Sequence, residues 1–175
     1  FTHGIRFLDR PYFLAGTAVP DWLSIADRKV KMRSRLVTPF KNISKDEEKE
    51  IAEGVLQHLE DDNWFHSSPA FNQTSRDLAV LFRQQMKDDP ELRAGFLGHI
   101  VTELLLDAVL IQRHPKLLDD YYQVIVSVNP VIIENCVNKM AKNTTDRLAQ
   151  LIPLFLKEEF LRDYVSTEKL WYRLN

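Results

Sequence analysis

The sequence predicts an all-α protein, and three observations carry that prediction. Glycine is scarce, with five in 175 residues. The alternation of apolar and polar residues that marks strands is hard to find, and helix-start signals recur along the chain instead. Ser44, with Glu47 three residues later, makes a capping box that opens a helix over about 45–62. Pro69 suits the first turn of a second helix, to about residue 86. Asp89-Pro90 begins a long third helix to about residue 113, Pro115 opens a fourth, and Asn129-Pro130 caps a fifth. Thr144 or Thr145 begins a sixth, which Pro153 is expected to kink or break. Ser166 caps a last helix, which the chain leaves at Asn175. No repeat, low-complexity tract or linker intervenes. The expectation is therefore one domain over residues 1–175, an orthogonal bundle of about six or seven helices with a buried metal site.

Composition narrows the function classes. Apolar residues make up 45% of the chain, enough for a sizeable core, and the formal net charge is −2. A general nucleic-acid binder would be strongly basic, so no nucleic-acid partner is expected. Cys136 is the single cysteine, which excludes an intramolecular disulfide and a Cys-rich zinc module. The apolar stretch 100–111 contains Thr102, Glu103 and Asp107 and reads as too short and too polar for a membrane span. With no secretory leader visible, a soluble, cytoplasmic protein is the expectation.

Polar residues recur where a core helix should be apolar. In the third helix His99, Glu103 and Asp107 stand at i, i+4 and i+8, one narrow stripe amid apolar positions. A carboxylate so placed must be paired, hydrogen-bonded or bound to metal, unless the stripe simply faces water. Both readings are open here. The first helix repeats the device with His58, Asp62 and His66. A His and a carboxylate one turn apart can chelate one cation, although His66 also suits the free carbonyls of a helix end. Glu60 and Asp61 point elsewhere and read as solvated charge. Asp21 follows Pro20 and serves either as a helix N-cap or as a ligand; His3 alone carries no weight. Together these His and carboxylate groups, without Cys, suit a divalent cation such as Zn, Mn, Fe or Mg, and one or two ions. Paired metals favour hydrolysis of phosphate esters. Gly-x-Ser-x-Gly and phosphate-cradling glycine loops are absent, and Cys136 reads as core.

The order of His3, Gly16 and Asp21 in "AGTAVPD", then Gly54, His58, Asp62 and Pro69 in and after "GVLQHLEDDNWFHSSP", resembles the acyl carrier protein phosphodiesterase family. The C-terminal "FLKEEFLRDYVSTEKLWYRL" resembles that family's Leu…Tyr…Leu helices. His99 and Glu103 stand where the family tends to show Asp-His, and His66 where it commonly has an acid. Those departures make the chain similar, more distantly, to zinc-dependent phospholipase C and its nuclease relatives. The resemblance implies that His3, Asp21, His58, Asp62, His99 and Glu103 bind metal, with His66 and Asp107 as ligands or as partners that orient a ligating His. It implies a phosphodiesterase that uses metal-held water, with Asp107 or Asp62 taking the water's proton.

Five cations fall in the eight residues from Arg28 to Arg35. Arg28, Lys29 and Arg33 are candidates to hold a substrate phosphate, or to steer an acidic carrier protein; the commoner explanation of such a run is a solvated loop or helix face. Trp22 or Trp64 would line a pocket mouth. The rival to a hydrolase is a non-catalytic helical domain with a structural or vestigial metal site, and a plain helical interaction module is the third reading.

Overall fold

The computed structural model describes residues 1–42, 46–86 and 93–174. Among the described residues there are nine α-helices, two 3₁₀ stretches and no strand, so the fold is all-α. The helices are α1 (Pro11–Ala26), α2 (Ser34–Val37), α3 (Asp46–Ser67), α4 (Pro69–Gln85), α5 (Ala94–Arg113), α6 (Pro115–Val126), α7 (Pro130–Met140), α8 (Leu148–Glu158) and α9 (Thr167–Leu174). The capping residue Ser44, the Asp89-Pro90 start and the exit at Asn175 lie outside the described residues.

Most starts fall where local chemistry predicts them. Ser68 accepts a hydrogen bond from the Phe71 N–H at the head of α4, and Asn129 accepts one from Val131 at the head of α7, each with Pro in the next position. Ser166 accepts from Lys169 at the head of α9.

Three expectations are corrected. α1 is a 16-residue helix that runs through Pro20, so Asp21 lies within it rather than capping it. Burial decides this: Leu14, Ala15, Ala18, Val19, Trp22 and Leu23 form one buried apolar side, and their contacts outweigh the hydrogen bond that Pro20 forgoes. α8 starts at Leu148, not at Thr144 or Thr145, because Thr145 is tied backbone to side chain with Asn138 while the Glu134 carboxylate accepts from Ala149 N–H. α8 also continues past Pro153 to Glu158.

The chain divides into two compact units. The first comprises Phe1–Asp61 and His114–Leu161. Here α1 packs against α6, α7 and α8 around Trp22, Tyr121, Tyr122, Ile133, Ile152 and Phe155, all buried. Trp22 meets the Phe155 ring edge-on at 5.5 Å, so it is core and lines no pocket mouth. α1 and α3 touch backbone to backbone at two glycines. A Cβ on Gly16 would lie 2.4 Å from the Ile51 carbonyl oxygen, and one on Gly54 would lie 2.1 Å from that of Phe13. No side chain fits between them. Cys136 is buried, and that burial pushes its thiol up to about 12.

The second unit comprises Asp62–Arg113 and Arg162–Asn175. α4 and α5 lie against one another, with Gly98 so close that a Cβ would stand 2.3 Å from the Ser75 carbonyl oxygen. Ser75 and Thr102 hydroxyls hydrogen-bond across this contact at 3.0 Å. At 20 residues α5 is long and apolar enough to cross a membrane by length and composition, which the stretch 100–111 understates. One helix of this kind is weak evidence for a span, and α5 carries Glu103 and Asp107 in its middle.

Candidate metal centre

In the second unit, α3 and α5 bring His66, His99 and Glu103 together. His66 and Glu103 are 37 residues apart in sequence, yet His66 Nε2 lies 2.7 Å from Glu103 Oε1. His99, one turn before Glu103, places its own Nε2 3.1 Å from the same oxygen. These three residues offer ligand atoms that all lie within 4.8 Å of one another. The first two members of the α5 stripe thus meet His66, and the His66 ring is engaged by a side chain rather than by helix-end carbonyls.

Aromatic rings back this group. Phe71, 5% exposed, lies 4.7 Å from the His66 ring and 4.9 Å from the His99 ring, and Phe65 packs edge-on against Phe71. Asn72 donates to the His66 carbonyl at 2.9 Å, which ties the end of α3 to the start of α4. Such a wall makes an ionised carboxylate costly. Burial, the largest influence, pushes the Glu103 carboxyl above its ordinary value of 4.5, and the nearby Asp62 charge adds to the rise. The His66 hydrogen bond and the charges of His99 and His66 pull downward without cancelling it.

A second group gathers around α3 and the N-terminal turn. His58 is 3% exposed, and its Nδ1 lies 2.8 Å from the Thr17 carbonyl oxygen. A carbonyl only accepts, so Nδ1 carries a proton, and Nε2 is the ring atom left to bind a cation. The Gly16–Gly54 contact makes this reach possible: Thr17 adjoins Gly16, and His58 follows Gly54 by one turn. The His3 ring lies against that of His58, centroids 4.1 Å apart. Asp62 follows His58 by one turn of α3. In the first unit His3 and His58 thus set two imidazoles side by side.

The other candidates are not drawn in. Asp21 is exposed on α1 and belongs to neither group, and half-buried Asp107 stands one turn beyond Glu103, also in neither. Arg28, Lys29 and Arg33 are exposed in the segment after α1, where Arg28 Nε donates to the Ser24 carbonyl at 3.2 Å. In residues 29–33 Val30 and Met32 are buried, so the cations alternate outward with apolar residues inward. Trp64 is 71% exposed on α3.

Asp61 was misread from sequence as solvated charge. Its Oδ2 accepts from Arg6 Nη2 at 2.5 Å and its Oδ1 from Gln57 Nε2 at 2.9 Å, while His3 Nδ1 lies 3.5 Å from Oδ2. The i, i+4 pairing of Gln57 with Asp61 was a usable signal; Arg6 and His3 reach Asp61 only through the fold.

The donor set fits a divalent cation: imidazole nitrogens and carboxylate oxygens, no thiolate, and one imidazole fixed by a backbone carbonyl. Family models, curated proteins and solved structures give no match to the chain, so its own residues carry the functional reading.

Proposed function

We propose that the chain is a metal-dependent phosphoesterase acting on a phosphodiester, as the likeness to acyl carrier protein phosphodiesterases suggests. The observation that carries this reading is the meeting of the His66 and His99 Nε2 atoms on one Glu103 oxygen, at 2.7 and 3.1 Å. When bound, a divalent cation supplies a Lewis acid and acidifies its water toward a pKa of about 7. The chain's own residues do the rest. His66, His99 and Glu103 would hold one cation, and His3 and His58 would be ligands of another. The Thr17 carbonyl keeps the His58 ring turned with Nε2 as the ligand atom. Phe71 and Phe65 keep water away from the back of the His66–His99 pair. Asp62 or Asp107, whichever is less committed to the cation, takes the proton of the attacking water. The outward row of Lys29, Lys31 and Arg33 suits an acidic carrier protein, and Arg28, Lys29 and Arg33 suit a substrate phosphate.

Purified protein supplied with Zn(II) or Mn(II) should retain about one or two ions and hydrolyse a generic aryl phosphodiester. His58→Ala and Glu103→Gln should each lose the hydrolysis together with the ion of the group that carries the substitution. Protein that stays metal-free and inactive overturns the proposal. Tightly held metal without turnover on any phosphate ester assigns the groups a structural role instead.

A further inference from the structure

We infer that Asp61 is a positioning residue for His3, an inference that rests on the metal reading above. His3 belongs to a turn at residues 2–6 rather than to a helix, so helix geometry does not aim its ring. Asp61 supplies that aim. Its carboxylate is pinned at both oxygens, Oδ1 by Gln57 at 2.9 Å and Oδ2 by Arg6 at 2.5 Å. The same Oδ2 stands 3.5 Å from His3 Nδ1, on the ring edge away from Nε2. Arg6 belongs to the same turn as His3, so its bond to Asp61 fastens that turn to α3. Its guanidinium also lies over the Phe7 ring, 5.2 Å from the centroid, which limits its own freedom.

The arrangement repeats what the Thr17 carbonyl does for His58. For His58 the acceptor stands at hydrogen-bond distance, 2.8 Å; for His3 the Asp61 charge, 3.5 Å away and not hydrogen-bonded to it, favours a proton on Nδ1 and so leaves Nε2 as the ligand atom. The two adjoining, mutually tilted imidazoles are thereby turned toward the same tautomer, one by a hydrogen bond and the other by a nearby charge. A solely structural role predicts something else. Arg6 is 55% exposed, and an ion pair that open to water contributes little, so breaking it would move stability little and metal binding not at all.

The experiment titrates the full chain with Co(II), following its visible absorption, and defines this group's binding step as the one that His58→Ala abolishes. Asp61→Asn should weaken that step about 10- to 100-fold and alter its spectrum. The melting temperature of the metal-free protein should hold within about 2 °C. Asp61→Glu, which keeps the acceptor charge, should regain part of the affinity. Should Asp61→Asn unfold the protein, Arg6→Met gives the decision, because it releases the carboxylate from the exposed side: weaker Co(II) binding supports the inference and unchanged binding overturns it. A wild-type chain that binds no Co(II) sinks the metal reading itself. If wild type binds and Asp61→Asn binds within about twofold of it, only the role of Asp61 is overturned.

Discussion

Replacing Gly54 by Ala should do more damage than any other single methyl group added to the first unit. Its Cβ would lie 2.1 Å from the Phe13 carbonyl oxygen and 2.9 Å from Gly16 Cα, both backbone atoms that no rotamer change can move. An ordinary C···O contact is about 3.3 Å, so α1 and α3 must part by about 1.2 Å. Overpacking of this kind costs up to about 3 kcal/mol. The same movement stretches the 2.8 Å contact between His58 Nδ1 and the Thr17 carbonyl to about 4 Å, which forfeits about 1 kcal/mol of hydrogen bond. Ala returns about 1 kcal/mol through its better helix propensity. The net loss of about 3 kcal/mol corresponds to a melting temperature lowered by about 6–12 °C, read by far-UV circular dichroism. Gly95→Ala is the control: nothing lies within 4 Å of its Cβ, so it should be neutral or stabilise by up to about 1 kcal/mol. Equal melting temperatures for Gly54→Ala and wild type would refute the claim that backbone contact sets the α1–α3 spacing and, through it, the His58 ring.

Other outcomes can be checked together. Glu103 has a folded pKa raised above its ordinary 4.5, so the folded chain binds that proton more tightly than the unfolded chain does. Its contribution to stability is therefore fully present below about pH 4.5 and lost as pH rises through the raised folded value. Denaturation of metal-free protein across that range should show the loss, and Glu103→Gln should flatten it; an unchanged pH slope would argue against a raised carboxyl at this half-buried position. Cys136, with a thiol at about 12 and 1% exposure, should resist a thiol reagent at pH 8 in the native protein and react at once in denaturant. Rapid reaction of the native protein would mean that α7 opens. His66→Ala should weaken divalent-cation binding by at least about tenfold while sparing the fold, because the ring is part-exposed and its main partner is Glu103. Binding equal to wild type would remove His66 from the ligand set.

Much of the fold was legible because its signals are local. Ser68-Pro69, Asn129-Pro130 and Ser166 mark helix starts through chemistry that spans three or four residues. α1 was not legible, since Pro20 outweighs the apolar spacing around it until one knows that Leu14, Val19, Trp22 and Leu23 have a core to enter. Pro153 does not break α8 either, which continues to Glu158. The stripes on α3 and α5 showed which side chains could converge, and helix periodicity was enough to assign them. Which stripe meets which depends on contacts between residues tens of positions apart. The sequence therefore offered only the i, i+4 spacing of Gln57 and Asp61 to separate Asp21, which faces water, from Asp61, which Arg6 and Gln57 hold. Thr17 was invisible as a site residue because it contributes a carbonyl, a group every residue has.

The most direct measurement is an anomalous-scattering map from crystals grown with Zn(II). Peaks at both groups are expected, one of them within about 2.0–2.2 Å of His66 Nε2, His99 Nε2 and a Glu103 oxygen. A map without a peak there, with both imidazoles still resting on the Glu103 carboxylate, would contradict the account.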